Sequence, residues 1–327
     1  MISTRRTRCT ILAILAAALA FGLGGVPAAA APDAQDPDGV LTRLVATATG
    51  AVERYWTPQR RAGAVPLDLA YHPSTGTTQR TRPAAAPADA VRAGGRVPVP
   101  RAAGKLFFSD GADDYVCSAT VIRSAAGNQV LTAGHCVHTG PHPSGSPLPL
   151  LGSLFVSPHY FENWMFVPRY RKGREPLGTW VAREVRVSSG WVEDEDYAED
   201  QAVVVLRHDD GERVQDATGG YRVRIGSRPR QPSVRVWGWP AEDPYDGETA
   251  WRCDGRSTRA RTAGVAGDAI IGCSMNGGAS GGPWLRADRR RRPVLWAVTS
   301  RRLLDSPRLL AHPLPPTVRA LRDPLTD

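Results

Sequence analysis

The sequence lacks an apolar run long enough to span a membrane. Its one long run, Ile11 to Phe21, has about 11 residues, whereas a spanning helix needs ~20. It also lacks any Cys-x-x-Cys pair or His-Glu-x-x-His string, which are common zinc-binding patterns. These absences argue against an integral membrane protein and against a zinc site that uses His135, His138 or His142.

Basic and small residues flank the apolar run. Arg5, Arg6 and Arg8 precede it, and the small residues Ala28 to Ala31 follow it. A basic start, a short apolar middle and small residues at the exit are typical of a secretory signal peptide. We therefore predict that residues 1–31 are a signal peptide, with a membrane anchor as the alternative. The protein is then expected to be secreted and extracellular, with no stable membrane association after cleavage.

Cysteine is scarce, and the positions of the cysteines suggest that they form disulfides. Cys9 falls inside the predicted signal peptide, which leaves Cys117, Cys136, Cys253 and Cys273 in the exported part. Four cysteines in an oxidising compartment predict two disulfides, for which three pairings are possible. Their spacing favours local pairs.

The positive charge is uneven along the chain. The net charge is +9, but residues 1–104 hold 12 basic and 6 acidic side chains, so residues 105–327 carry only +3. The one strong basic cluster of the second part, Arg289 to Arg292, lies between two predicted strands and has no interleaved aromatic residues. Such a cluster is usually a solvated hairpin tip, and no nucleic-acid partner is predicted.

Residues 32–104 differ in composition from the rest of the chain. They are rich in alanine, proline and arginine, with Pro83 to Pro87 at the centre, and this composition predicts a largely linker-like or disordered segment. Val40 to Val52 is an exception, because its apolar residues have helix-like spacing. We interpret residues 32–104 as a propeptide, with a retained flexible linker as the alternative.

From Lys105 onward, short apolar runs alternate with turn residues, a pattern typical of an all-β barrel or sandwich. A short helix is predicted at Thr317 to Arg322. The predicted strands are Val116 to Ile122, Gln129 to Ala133, Asn163 to Arg169, Thr179 to Val187, Asp200 to Leu206, Tyr221 to Ile225, Ser233 to Trp239, Thr249 to Cys253, Gly282 to Arg286 and Pro293 to Ser300.

Two short strings and an acid suggest nucleophilic catalysis. Gly278 to Gly282 surrounds Ser280, Thr132 to Cys136 surrounds His135, and Asp200 opens an apolar run between them. A serine nucleophile needs a base to accept its proton and a carboxylate to orient that base. The Gly-x-Ser-x-Gly pattern also occurs in α/β-hydrolases, but there the acid and the histidine follow the serine and are separated by further strand and helix units. Here His312 is the one histidine after Ser280, in a tail too short to build such units.

The strings around His135 and Ser280, in the order His135, Asp200, Ser280, resemble those of the chymotrypsin-like serine peptidases, of the secreted actinobacterial type. The resemblance implies two antiparallel six-stranded β-barrels with the active site between them. The first barrel, about residues 105–210, would carry His135 and Asp200, and the second, about residues 220–327, would carry Ser280.

The resemblance extends to the cysteines and to the segment before the barrels. It implies a Cys117–Cys136 disulfide that fastens the histidine loop, which leaves Cys253–Cys273 as the second pair. Val52 to Pro58 resembles a segment found ahead of the catalytic domain in secreted actinobacterial peptidases, which supports the propeptide interpretation.

The resemblance also implies a role for each site residue. His135 would be the general base and Asp200 the acid that orients it, although Asp196 and the nearby Asp194 remain alternatives. The backbone N–H groups of Gly278 and Ser280 would form the oxyanion hole, which stabilises the charge on a tetrahedral intermediate.

The sequence departs from the animal digestive members of the family just before Ser280, and from the trypsin-type and glutamyl-specific members in the pocket. Ala279 replaces the aspartate that pairs with a newly freed N-terminus, so latency is expected from a prosegment that covers or misaligns the site. Ser274 would lie at the base of the primary pocket, where trypsin-type members place an aspartate, and Thr299 falls where glutamyl endopeptidases place a histidine. Neither a strict Arg or Lys preference nor a Glu preference is therefore supported. Ser300 would begin the substrate-binding strand.

Arg301 and Arg302 follow in place of the family's usual aromatic residue and glycine. We expect an exposed arginine pair there, with a narrowed pocket or attraction of acidic substrates as alternatives.

Together these features predict a secreted, monomeric serine endopeptidase that forms an acyl-enzyme and needs no cofactor or metal. Its expected partners are a peptide or protein substrate and its own propeptide. Two alternatives remain: an inactive homologue that acts as a binding module, and an esterase that uses the same residues.

Overall fold

The computed structural model describes residues 34–36, 39–72, 77–80, 91–92, 98–141, 157–262 and 264–323. The predicted signal peptide at residues 1–31, the alanine-rich stretch at residues 83–87 and His142 lie outside these ranges. Within the ranges, no helix has both the length and the apolar character needed to cross a membrane.

Short strands dominate the described residues. In chain order they are β1 (Ala34–Asp36), β2 (Val40–Leu44), β3 (Val65–Pro66), β4 (Leu69–His72), β5 (Thr77–Arg80), β6 (Val91–Arg92), β7 (Ala103–Ser109), β8 (Asp114–Val121), β9 (Gln129–Thr132), β10 (Glu162–Pro168), β11 (Trp180–Ser188), β12 (Ala202–Leu206), β13 (Arg222–Val223), β14 (Gln231–Gly238), β15 (Trp251–Arg259), β16 (Ala269–Gly272), β17 (Pro283–Ala287), β18 (Pro293–Val298), β19 (Arg301–Leu303) and β20 (Arg308–Ala311). The α-helices are Thr49–Tyr55, Pro58–Gly63, Ser189–Asp194, Val214–Thr218 and Val318–Arg322. The predicted β fold with a short C-terminal helix is confirmed.

Strands β7 to β12 form a closed antiparallel barrel. The order is β7, β8, β9, β12, β11 and β10, and β10 pairs back with β7. In β12, Ala202, Val204 and Leu206 pack in the barrel core, whereas Val203 and Val205 join a cluster shared with the second half of the chain. Because successive side chains of a strand point to opposite faces, this strand is buried on both of them. Its unbroken apolar run follows from that position.

The second half of the chain forms a more open sheet. Strands β18, β17, β14, β15, β16 and β20 follow one another in it, and an isolated bridge between Ala297 and Pro313 brings its ends together. The predicted second barrel is thus present as a sheet that nearly closes. The predicted strand Tyr221 to Ile225 is reduced to β13, which pairs in parallel with β18, and β16, β19 and β20 were not predicted.

Both predicted disulfides are present in the structure. Cys117–Cys136 joins β8 to the short 3₁₀ turn Gly134–Cys136, and Cys253–Cys273 joins β15 to the residue after β16. Each bond closes a loop of about twenty residues, with sequence separations of 19 and 20. In the chain-entropy account, loops of this size add roughly 3 kcal/mol to the free energy of unfolding.

The described part of the N-terminal segment packs on the barrel, contrary to the linker-like expectation. Val40 to Leu44 is a strand that pairs with β11, so the predicted helix across Val40 to Val52 is wrong for its first half. Val40 and Leu41 are both buried, in two different apolar clusters, as adjacent residues of a covered strand must be. Trp56 is 2% exposed and donates from Nε1 to the Asn163 carbonyl oxygen at 2.6 Å.

The basic cluster at residues 289–292 is the exposed tip of the β17–β18 hairpin, as predicted. The Asp288 carboxylate closes the turn, because it accepts hydrogen bonds from the backbone N–H groups of Arg290 and Arg292 at 2.8 and 2.7 Å.

The C-terminal helix Val318–Arg322 joins the two halves of the chain. Arg186 of β11 donates to the Leu321 carbonyl oxygen at 3.0 Å, and the Gln129 amide of β9 donates to the Arg322 carbonyl oxygen at 2.8 Å. Val318 and Leu321 are fully buried. The last helix of the second half therefore anchors on the first barrel.

Candidate active site

His135 lies in the 3₁₀ turn that follows β9, and Asp200 lies just before β12. The His135 Nδ1 atom is 2.9 Å from Asp200 Oδ2, and the His135 backbone N–H donates to Oδ1 at 2.8 Å. Gly134 makes room for this contact, since a Cβ there would lie 3.1 Å from Asp200 Oδ1 and 2.9 Å from the Trp191 ring. The carboxylate therefore fixes both the backbone and the ring of the histidine.

The Asp200 carboxyl group is buried and ionised. Burial by itself raises its pKa, but the His135 charge, the hydrogen bonds from His135 and the Ser300 hydroxyl bring that pKa below its usual value. Ser300 Oγ donates to Asp200 Oδ2 at 2.6 Å. Asp196 is exposed and instead caps the Ala198 N–H at 2.8 Å, so the structure brings Asp200 and not Asp196 to His135.

Ser280 lies in a turn that packs against the residues preceding His135. The Ser280 carbonyl oxygen accepts a hydrogen bond from the Ser118 N–H at 2.7 Å. At Gly281 there is no room for a side chain, because a Cβ would overlap Thr132 Oγ1 and lie 3.0 Å from the Ala133 nitrogen. The turn that carries the serine is thus held against the strand that leads to the histidine.

The serine and the histidine do not form a hydrogen bond in this state. His135 Nε2 is buried without a hydrogen-bond partner among the described residues, and the Ser280 hydroxyl has none there either. Neither atom is therefore engaged in a competing contact. Such a bond often tightens only when substrate is bound.

Two backbone N–H groups of the serine turn are also free. Within the described part of the chain, the N–H groups of Gly278 and Ser280 donate to no acceptor. Gly278 has a φ of 93°, in the region that favours glycine, and its carbonyl oxygen accepts a hydrogen bond from Ser118 Oγ at 2.8 Å. The hydrogen bond from Ser118 thereby fixes the Gly278 carbonyl group, while the N–H groups of Gly278 and Ser280 remain available as donors.

Sequence reasoning missed the role of Ser118. Its hydroxyl donates to Gly278 and accepts from the Trp239 N–H at 2.9 Å, while its own N–H donates to Ser280. A single residue of the first barrel thus orients the serine turn of the second half. No local pattern indicates this, since the partners are more than 100 residues away in the sequence.

Three solved protease structures are similar to this chain. The protease Anisep from Arthrobacter nicotinovorans is 28% identical, with a TM-score of 0.58, over 68% of this chain and 94% of its own. The thermostable serine protease AL20 from an extremophilic microorganism is 27% identical, with a TM-score of 0.58, over 68% and 95%. A Glu endopeptidase in complex with MPD is 17% identical, with a TM-score of 0.53, over 72% and 96%. No protein-family model and no curated protein matches the chain.

The chain has the chymotrypsin-like serine peptidase fold. In this fold, His135 and Asp200 lie next to strands of the first barrel, and Ser280 lies just before β17 of the second half.

The three predicted pocket residues of this chymotrypsin-like fold are buried and hydrogen-bonded within the protein. Ser274 Oγ is 2.7 Å from the Tyr245 hydroxyl, and Thr299 Oγ1 accepts from Trp284 Nε1 at 3.0 Å. Ser300 directs its hydroxyl to Asp200, as described above. Ser300 thus contributes to the orientation of the Asp200 carboxylate, a contact that the sequence did not suggest.

The expectation of an exposed arginine pair is wrong. Arg301 is 2% exposed and donates to Asp268 Oδ2 at 2.5 Å, while its guanidinium stacks on the Tyr197 ring at 3.9 Å. Arg302 is 8% exposed and donates from Nε to Asp68 Oδ2 at 2.5 Å. Both arginines are buried because each has a carboxylate from a distant part of the chain.

Residues 65–72, the covering segment, pass from one half of the chymotrypsin-like fold to the other. At one end β3 pairs in parallel with β8 of the first barrel, and at the other β4 pairs in parallel with β19, the strand just after Ser300. Asp68, between the two strands, lies beside the serine turn, since a Cβ at Gly277 would be 2.9 Å from the Asp68 Cβ. His135 and Ser280 are 0% and 3% exposed in this covered state.

Cys117, His135 and Cys136 are close enough together to suggest a metal cluster. Both sulfur atoms belong to the Cys117–Cys136 disulfide, however, and zinc binds the thiolate form of cysteine. The donor set does not fit a metal ion.

Glu242 shares the covered site with Asp68 and Arg302. Burial and the neighbouring Asp68 carboxylate raise the pKa of Glu242 to about 8, against the opposing effects of the Arg302 charge and the Gly277 N–H. The Gly277 N–H donates to Glu242 Oε2 at 3.2 Å, and Arg302 Nη2 is 3.9 Å from the same oxygen. Glu242 thus keeps its proton to a higher pH than an ordinary carboxyl group does.

This pKa predicts a pH-dependent covering segment. The Asp68 carboxylate raises the pKa of Glu242 only while the covering segment is in place, so protonated Glu242 stabilises the covered state. That contribution is lost as the pH rises through about 8, because an ionised Glu242 then faces the Asp68 carboxylate. In a Ser280→Ala full chain, hydrogen exchange should show falling protection of β4 amides between about pH 6 and pH 8. Adding Glu242→Gln should remove this trend, and identical profiles in the two proteins would contradict the assignment.

Proposed function

We propose that the protein is a secreted serine endopeptidase that uses Ser280 as nucleophile, His135 as base and Asp200 as orienting acid. The supporting observation is the buried contact of His135 Nδ1 with Asp200 Oδ2 at 2.9 Å, beside a serine turn with two free N–H donors. Secretion agrees with the two disulfides, which are typical of oxidising compartments.

The reaction follows from these groups. Ser280 Oγ attacks the peptide carbonyl carbon as His135 Nε2 accepts the hydroxyl proton, and the Gly278 and Ser280 N–H groups stabilise the oxyanion. The C–N bond then breaks, and His135 returns the proton to the leaving amine. Water, deprotonated by the same histidine, hydrolyses the Ser280 ester and releases the second product. Every proton is supplied by the serine or by water, so no cofactor is required.

We also propose that the full chain is latent because its site is covered rather than malformed. The Ser118 hydroxyl already holds the Gly278 peptide, and the two N–H donors are already free. Ala279 leaves no carboxylate for a new N-terminus to bind, so activation by that route has no acceptor. Removal of the covering segment then exposes a serine turn whose N–H donors are already free.

A fluorophosphonate probe tests both proposals. The secreted, processed protein is expected to be labelled at Ser280, and the Ser280→Ala variant should remain unlabelled at that position. The intact chain should react about 100-fold more slowly, because only a minor uncovered population is competent. Mass spectrometry of the labelled peptide identifies the site.

The outcomes separate the alternatives. Equal labelling of intact and processed protein would remove the latency proposal but leave the peptidase. A processed protein without label would support a non-catalytic binding module. Comparison of matched ester and amide substrates distinguishes a peptidase from an esterase, since only a peptidase hydrolyses both.

A further inference from the structure

Arg302 is a buried cation close to the catalytic groups. It is the second residue of β19, which begins immediately after Ser300, the residue that donates to Asp200. Its Nε donates to Asp68 Oδ2 at 2.5 Å, and its Nη2 lies 3.9 Å from Glu242 Oε2. A guanidinium in such a place requires an acidic partner, because an unpaired buried charge is strongly destabilising.

The acidic partner belongs to a peptide strand that occupies the site. Asp68 is held on one side by β3 on the first barrel and on the other by β4 on β19. Its Cβ lies beside Gly277, the residue before the Gly278 oxyanion donor. The chain's own covering segment thus places one carboxylate on Arg302 next to the reacting centre.

We infer that Arg302 is a specificity-determining residue that binds an aspartate or glutamate side chain of the substrate at one position near the scissile bond. The inference rests on the proposed function and extends it to a substrate class. Once the covering segment leaves, an acidic substrate side chain takes the place of the Asp68 carboxylate. A charged hydrogen bond of this kind distinguishes a carboxylate from the isosteric amide.

Glu242 is the internal competitor for Arg302. Its pKa is raised to about 8 by burial and by Asp68, and its carboxyl oxygen is 3.9 Å from Arg302, outside hydrogen-bond distance. Departure of Asp68 removes one of the two causes of that raised pKa, so Glu242 ionises more readily in the open site. A Glu242→Gln variant removes this competitor and should strengthen the preference for acidic substrates.

The test uses the processed protein and a peptide library in which Asp, Glu, Asn and Gln are varied at each position around the cut. We expect an acid-over-amide preference of about 10- to 100-fold in kcat/KM at one position, the range for a charged hydrogen bond. Arg302→Gln should bring that ratio close to one, and Arg302→Lys should retain part of it. Arg290→Gln, at the exposed hairpin tip, removes the same charge and should leave the ratio unchanged.

The ratio is informative even where a variant folds poorly, because both peptides are cut by the same active molecules. Fluorophosphonate labelling of Ser280 is measured first. Without label in the processed wild-type protein, the proposed function fails and the inference fails with it. With label, the inference alone is overturned if no position shows an acid preference, or if Arg302→Gln leaves the preference intact.

Discussion

Replacement of Asp200 by asparagine is expected to lower kcat by about 10⁴-fold, the effect seen when the orienting carboxylate of such a triad becomes an amide. Asp200 accepts three hydrogen bonds here, from the His135 N–H, from His135 Nδ1 and from the Ser300 hydroxyl. Asparagine offers one carbonyl oxygen and one NH₂ group in the same space. An NH₂ group facing Nδ1 forces the ring proton onto Nε2, which can then no longer accept the proton of Ser280.

Asp196→Asn is the matched control, because Asp196 is the exposed acid that the sequence left as an alternative. Its carboxylate accepts only a local N–H from Ala198 among the hydrogen bonds described above. Peptide hydrolysis by this variant should remain within a few-fold of wild type, in line with small surface effects. A large loss in Asp196→Asn with little loss in Asp200→Asn would reverse the assignment.

Replacement of Gly278 by alanine is expected to lower kcat by about 10²- to 10³-fold with little change in KM, the effect of losing one oxyanion donor. An alanine Cβ would lie 2.5 Å from the Trp239 carbonyl oxygen and 3.3 Å from the Ala241 nitrogen. The φ of 93° is also unfavourable for alanine. The peptide must therefore rotate, and its N–H then moves away from the oxyanion position.

The control for Gly278 is Gly272→Ala, at the end of β16. A Cβ at Gly272 meets no atom within 4 Å, and its backbone conformation suits any residue. Steady-state kinetics on the processed enzymes, together with thermal unfolding of each, separates loss of catalysis from loss of folded protein. If Gly278→Ala kept wild-type kcat with an unchanged melting temperature, the oxyanion role would be refuted.

The sequence predicted β12, which is buried along its whole length, and missed β19, whose arginines are paired with distant carboxylates. β12 is a run of apolar residues because both of its faces are covered, and such a run is visible without a structure. β19 contains Arg301 and Arg302, which look like exposed loop residues. Their partners, Asp268 and Asp68, come from 33 and 234 residues away, so no local pattern can indicate that they are buried.

The same distinction applies to the site. His135 and Ser280 lie in strings whose neighbours are needed for local geometry, such as Gly134 beside Asp200 and Gly281 against Thr132. Those strings are therefore recognisable. The role of Ser118 depends on a contact 160 residues away, and nothing around it in the sequence marks it.

The N-terminal segment shows that amino-acid composition alone does not predict whether a segment packs on the fold. Its average character predicts a linker, yet Val40, Val52 and Trp56 are almost completely buried. These buried apolar side chains and the strand pairings of β2, β3 and β4 fix the segment on the rest of the fold. The alanine and proline content of the segment does not indicate this burial.

The anchoring of Trp56 bears on how quickly activity would appear. Its indole packs against the Phe107 ring at 5.3 Å and donates a hydrogen bond to the barrel backbone. After a cut downstream of the covering segment, the N-terminal fragment would therefore stay bound to the barrel without a covalent link. A nicked molecule would then still be blocked by its own fragment. Onset would show a lag set by the slow dissociation of this fragment, and dilution or mild heating would shorten that lag without any further bond being cleaved.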